Sequence, residues 1–194
     1  MKTTQVCLAA SLLSASAPAV AQMLISPEER ARAALGPETV AALSEVKGSN
    51  DPLEPSIWIS TRPFASKKYA DDKFFRANID KTTGNVFYQV YIQISSRNGN
   101  RFDRMTYLVG GKLRTAKVER VSFDVDCQRY GCTHYEDFVA EIPREDLDAL
   151  AADASQTFWK GRLFGPSIQG VDLEILRNET AGFLEAVDRV RVLL

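Results

Sequence analysis

Residues 121–142 read VSFDVDCQRYGCTHYEDFVAEI, and the way this stretch folds governs the rest of the chain. Val121, Phe123 and Val125 alternate with Ser122, Asp124 and Asp126, the period of a strand with one apolar face. The returning residues alternate as well, with Phe138, Ala140 and Ile142 on one parity and Tyr135, Asp137 and Glu141 on the other. Between them, Cys127 and Cys132 enclose Gln128-Arg129-Tyr130-Gly131, and the glycine suits the positive-φ position of a tight turn. Two cysteines facing each other across the ladder set the register. His134 then lies opposite Val125, Glu136 opposite Phe123, and Phe138 opposite Val121. His134, the only histidine, and Glu136 therefore share the apolar face of the hairpin.

The start of the chain has the pattern of an export leader. Lys2 supplies a positive charge, Val6 to Leu13 a short apolar run, and Ala19-Val20-Ala21 the small residues that favour cleavage before Gln22. The apolar run falls short of the ~20 residues a membrane span needs, and no later segment approaches that length. Cys7 lies inside the leader without a Leu-x-x-Cys pattern, so no lipid anchor is expected. The expected organisation is a signal peptide over 1–21, an N-terminal helical arm and linker over 22–50, and a single β-rich domain over 51–194. The expected destination is the bacterial periplasm or the exterior.

Charge and cysteine content narrow the function classes. The chain has 24 Lys and Arg against 25 Asp and Glu, and losing Lys2 with the leader leaves a net charge of about −2. That balance disfavours nucleic acid or an anionic membrane as partner. Cys127 and Cys132 remain after cleavage and read as a disulfide in an oxidising compartment. Its short loop places the stabilisation at the low end of ~2–4 kcal/mol. The spacing is not Cys-x-x-Cys, and no second Cys/His pair completes a zinc site. No metal and no cofactor is expected.

The remaining elements follow from periodicity and turn residues. Ser26-Pro27-Glu28-Glu29 starts a helix, with Ser26 as N-cap, and Gly36-Pro37 stops it. A second short helix places Val40, Leu43 and Val46 on one side, and its thin stripe suggests loose packing or a detachable contact element. Lys47 to Pro55 reads as a linker, Ser56 to Arg62 as the first strand, and Pro63 to Asp72 as a loop. Lys73 to Asp80 and Asn85 to Ser95 form a hairpin in which Phe75 meets Val90 and Ile79 meets Val86. Asn98-Gly99 signals a further two-residue hairpin. It pairs Met105, Tyr107 and Val109 with Ile92, Val90 and Tyr88. A bulge or break is expected between Ala116 and Val121. Residues 144–153 read as a helix, and 157–164 and 168–175 as strands. Asn178 is expected to cap a final helix with the stripe Phe183, Val187, Val190 and Leu194. Gly182 allows that helix to approach the sheet closely. The expected fold is α+β and mainly antiparallel: a β-meander forming a curled sheet or half-barrel packed on the C-terminal helix. A two-sheet sandwich is the alternative.

Three groups of residues offer chemistry. His134 and Glu136 have the side chains of a general acid–base pair, or of a partly buried His hydrogen-bonded to Glu136 for structural reasons. The second group lies on the other face of the sheet. There Phe74 meets Tyr91, Arg76 meets Gln89 and Phe87 meets Asn78, while the Asn-Gly hairpin adds Thr106 opposite Tyr91, Arg104 opposite Gln93 and Phe102 opposite Ser95. These rings form a platform for a glycan or a partner protein, or a second core layer under the N-terminal helices or residues 157–175. The third group is Phe158 to Gly165, where Lys160 and Arg162 suit an anion or are simply solvated while Trp159 packs inward. Asp124, Asp126 and Asp137 crowd one face of the hairpin without the spacing of a calcium loop. Walker, Gly-x-Gly-x-x-Gly, Gly-x-Ser-x-Gly and His-Glu-x-x-His motifs are absent. The expected function is an exported, non-catalytic domain that binds an envelope protein, a glycan or a small ligand. A hydrolase using His134 and Glu136, and an assembly factor acting through the N-terminal arm, are the alternatives.

Overall fold

A computed structural model describes residues 27–64, 72–166 and 168–194. The expected leader, the Ser26 cap and most of the loop expected over 63–72 lie outside the described residues. The elements are α1 (Pro27–Ala33), α2 (Pro37–Leu43), β1 (Glu45–Lys47), β2 (Ser56–Ser60), β3 (Lys73–Asp80), β4 (Val86–Ser96), β5 (Arg104–Val109), β6 (Lys112–Gln128), β7 (Gly131–Glu141), α3 (Arg144–Ala152), β8 (Phe158–Gly165), β9 (Ile168–Leu176) and α4 (Arg177–Arg191). The fold is α+β. Among the described residues, nine strands form one open antiparallel sheet in the order β1-β2-β3-β4-β7-β6-β5-β8-β9.

The β3–β4 hairpin has the register its alternation predicts, with Phe75 opposite Val90 and Ile79 opposite Val86. Its turn is held by Asp80, whose Oδ1 accepts the N–H groups of Thr82 and Thr83, both at 2.8 Å. Gly84 takes the positive φ, 71°, that a side chain disfavours there.

The Asn98-Gly99 hairpin does not form. A type I′ turn needs positive φ at both central residues, and neither Asn98 nor Gly99 has it. β4 pairs instead with β7, setting Val90 against Ala140 and Ile92 against Phe138. Residues 97–103 carry the chain across the β6–β7 pair to β5, which pairs with β6 and β8. A two-residue turn preference is outweighed by an eight-pair ladder whose inner pairs Val90–Ala140 and Ile92–Phe138 are apolar on both strands. The expected meander is thereby replaced by two interlocked Greek keys sharing β5, β6 and β7.

β6 is one long strand with a bulge between Arg120 and Ser122, at the edge of the interval where the alternation slips. Beyond it Val125 faces His134, Phe123 faces Glu136 and Cys127 faces Cys132, as the disulfide register predicts. The cysteines are bonded, with an S–S distance of 2.03 Å. Phe138 faces Arg120 rather than Val121, because the bulge adds a residue. The expected burial of Val121, Phe123 and Val125 does not occur, and Phe123 is 49% exposed. β5 accompanies β6 only as far as Lys117, so the hairpin beyond projects past the core.

The sheet is strongly curled. Phe75 on β3 and Trp159 on β8 have ring centroids 6.4 Å apart. Five strand-to-strand steps separate them along the sheet, roughly 24 Å if it were flat. α4 fills the curl, with Phe183 stacked on Phe75 at 5.0 Å and edge-on to Tyr88 at 6.2 Å. α3 packs beside it and buries Leu147 and Leu150. α4 buries Phe183, Leu184 and Val187, while Leu194 lies beyond the helix and is exposed. Among the described residues, no helix is long and apolar enough to cross a membrane.

Residues 27–47 are built into the same body instead of forming a loose arm. β1 pairs with β2, setting Val46 against Ile59, so Val46 belongs to a strand and not to the second helix. α2 lies on α4 with Val40 fully buried. Gly182 makes this contact possible: a Cβ there would sit 2.5 Å from both the Pro37 carbonyl oxygen and the Val40 Cβ. The close approach that the glycine permits is to α2, not to the sheet. Asn178 does not cap its own helix. Its Nδ2 donates to the carbonyls of Arg32 (2.8 Å) and Leu35 (2.7 Å), closing the end of α1.

Candidate functional site

Side chains of one parity on β2, β3 and β4 point away from α4 and form an outer face. Two of its rings are open to solvent: Trp58 is 39% exposed and Phe87 48%. Both stand opposite Asn78, so one row across three strands reads Trp58, Asn78, Phe87. The next row reads Ser60, Arg76, Gln89, Glu141. The Arg76 guanidinium lies 5.3 Å from the Trp58 ring centroid and 4.7 Å from that of Tyr91. Its Nε donates to Gln89 Oε1 at 2.7 Å. Tyr91 stacks on Phe74 with centroids 4.8 Å apart, and Arg62 lies over the Phe74 ring at 5.9 Å. The result is a ladder of two cations and three rings in the order Arg62, Phe74, Tyr91, Arg76, Trp58. Tyr91 Oη donates to Asp137 at 2.8 Å, and Gln93 Nε2 donates to the same carboxylate at 3.2 Å.

The electrostatics of the ladder are unusual. Among the described residues, no carboxylate comes within ion-pairing distance of Arg76. Burial pulls its pKa down, against weaker support from Tyr91 and Asp137. Burial, and then the hydrogen bond to Asp137, push the Tyr91 phenol up to about 12. Four of the five predicted platform residues (Phe74, Arg76, Gln89 and Tyr91) come together here. Phe74 is buried under its neighbours, so the accessible rings are Trp58 and Phe87. Trp58 was missed because β2 could not be placed beside β3 from sequence. Its alternation in SIWIS was the available signal.

Arg104 is not part of this platform, and the expected contacts of Thr106 and Phe102 with β4 do not exist. Arg104 pairs across strands with Lys117 and Phe164, lies over the Phe164 ring at 5.2 Å and meets Asp103 at 3.5 Å. Phe102 is buried edge-on against Phe138. Arg104 joins Lys160 and Arg162 along a second outer groove of about 860 Å³. Two of its cations are already matched, Lys160 with Glu174 at 3.3 Å and Arg162 with Asp172. Trp159 packs inward and donates its indole N–H to Thr180 at 3.0 Å.

His134 and Glu136 share the inner face, but they are not bonded to each other. Glu136 is buried, at 1% exposure. Its Oε2 accepts the Asn100 backbone N–H at 2.6 Å and Asn100 Nδ2 at 3.0 Å, and its Oε1 accepts Arg120 Nη1 at 2.9 Å. Both oxygens are committed to fastening the crossover loop against the bulged strand. The His134 ring leans on Phe123 with centroids 5.7 Å apart, and its buried Nδ1 has no partner among the described residues. Of the three crowded aspartates, Asp137 is engaged by Tyr91 and Gln93.

A further titratable group had no signal beyond an acidic side chain at a helix start. Glu179 is buried at the head of α4, where Thr61 Oγ1 lies 2.7 Å from its Oε1 and Arg32 Nη2 lies 3.7 Å from its Oε2. Burial pushes its pKa up to about 7, against lowering effects from Thr61 and Arg32. The Thr61 hydroxyl has a single proton and two nearby acceptors, Glu179 and, at 3.4 Å, the Phe75 carbonyl. A protonated Glu179 donates to Thr61 and frees that proton for Phe75. No protein-family model matches the chain, and no curated protein and no solved structure matches it.

Proposed function

We propose that the protein is an exported, non-catalytic binding domain of the bacterial envelope, and that Trp58, Arg76, Gln89 and Tyr91, with Phe87, form its contact surface. The observation that carries this reading is Arg76: a half-buried cation held between two rings on an outer face, without a carboxylate partner among the described residues. A cation removed from water is normally matched by an anion, so an unmatched one on an open face suits a ligand. The exposed rings beside it offer flat apolar contact. Export is supported by the leader pattern of residues 1–21 and by the Cys127–Cys132 bond, which suits an oxidising compartment. Against the hydrolase reading, both Glu136 oxygens are already bonded within the protein.

The test is a binding comparison using immobilised envelope glycan and envelope protein fractions. Trp58→Ser and Phe87→Ser are expected to melt within a few degrees of the parent, since both rings are exposed, and to lose the bound fraction. Equal retention by parent and variants would overturn the assignment of the surface. Amino-terminal sequencing of the protein recovered from the periplasm is expected to begin at Gln22.

A further inference from the structure

We infer that the ligand of this platform is an acidic oligosaccharide, its sugar carboxylate held by Arg76 and its ring faces resting on Trp58 and Phe87. The inference rests on the platform reading above and adds the chemical class.

The carboxylate follows from how Arg76 is held. Only its Nε has a protein acceptor, the Gln89 amide oxygen, which leaves both Nη groups without one among the described residues. The Trp58 and Tyr91 rings restrict the guanidinium, so little rotational freedom is left to lose on binding. A fixed planar fork matches the two oxygens of a carboxylate better than any neutral group. Arg62, exposed over Phe74, adds a second guanidinium to the same face. Asp137 does not neutralise them by contact, because Tyr91 and Gln93 hold it.

The sugar follows from what surrounds the fork. Trp58 and Phe87 stand on either side of Asn78 in one row, two strand spacings apart, roughly 10 Å. That separation suits an extended chain of rings better than a single ring. Asn78 and Gln89 lie between and beside them, and side-chain amides both donate to and accept from hydroxyls. β3 is an interior strand with ladder partners on both sides over Arg76 to Ile79, so its main chain has little left to offer a peptide.

The experiment is calorimetric titration of the full chain with oligogalacturonate and with the same oligomer fully methyl-esterified, which keeps the rings and removes the charge. Oligogalacturonate is expected to bind at least about tenfold more tightly than the ester. Arg76→Gln is expected to abolish that preference while leaving weak binding of both, and Trp58→Ala to weaken both. Melting curves verify that each variant is folded, and Arg76→Lys, which keeps the charge without the fork, is expected to lose part of the preference. Equal affinity for acid and ester overturns the carboxylate. Binding of poly-glutamate with neither oligosaccharide overturns the sugar, as does binding of no probe. Strong oligogalacturonate binding that is indifferent to both Trp58→Ala and Arg76→Gln sinks the platform reading itself, since the site must then lie elsewhere.

Discussion

Glu136 and Glu179 are both buried carboxylates, yet their surroundings treat them oppositely. Glu136 accepts three hydrogen bonds, one of them from a cation. Replacing it with Ala strands the Asn100 N–H and the Arg120 guanidinium, at an expected cost of about 3 kcal/mol read as a lower urea midpoint. Gln in the same place keeps an acceptor and should cost less. Glu179 has one close hydroxyl and a distant guanidinium, and burial dominates. Its folded pKa, about 7, lies above the ordinary value of 4.5. Its contribution is therefore fully present below pH 4.5, declines between there and pH 7, and is lost above. The size is bounded at about 3 kcal/mol. Urea unfolding at pH 5 and pH 8 should show the parent losing more stability than Glu179→Gln, and equal losses would mean that Glu179 is ionised throughout. Parity alone showed which face Glu136 occupies. Its partners were hidden because Arg120 reaches it across a bulge and Asn100 through a crossover. Neither feature leaves a periodic trace.

Among the elements, hairpins closed by their own turns were readable and pairings between distant strands were not. The β3–β4 register followed from alternation and a turn ending in Gly84, and the distal β6–β7 register followed from the disulfide. The β4–β7 ladder joins Val90 to Ala140, and two strands of equal apolar parity competed for the same edge. Local turn preference chose wrongly between them, which is also why Arg104 was assigned to the wrong half of the sheet. Two predictions belong at this scale. Gly182→Ala gains up to ~1 kcal/mol of helix propensity, but its Cβ meets the Pro37 carbonyl and the Val40 Cβ. The clash should win, with a net loss of about 1–3 kcal/mol on thermal melting. Replacing Cys127 and Cys132 together with Ser should change the global melting temperature little, because the bond closes a projecting tip. Hydrogen exchange should instead rise locally over residues 121–135.

At the level of the whole molecule, residues 27–47 brace the curled sheet. α2 covers α4 where Gly182 leaves room, β1 extends the sheet, and Arg32 stands beside Glu179. A chain beginning at Asp51 loses all three and is expected to melt at least ten degrees lower or to unfold without cooperativity, checked by calorimetry. Normal folding would restore the detachable arm. The class, the curl and the closing helix were legible because alternation and the final apolar stripe are long signals. The role of residues 27–47 was not, because a seven-residue helix with two buried side chains looks weak until its partner is known.

The crossover at residues 97–103 also bears on the history of each molecule. A chain made from its amino terminus completes β3 and β4 while the strand that will cover β4 is still to come. During that interval the Gln89–Ser96 edge, with Val90, Ile92 and Ile94 along it, is unpaired, and such edges join neighbouring chains as readily as their own. Refolding yield should therefore drop as protein concentration rises. Adding the separate 112–142 hairpin in excess should lower the yield of folded chain, because it occupies the β4 edge that the chain's own β7 must take.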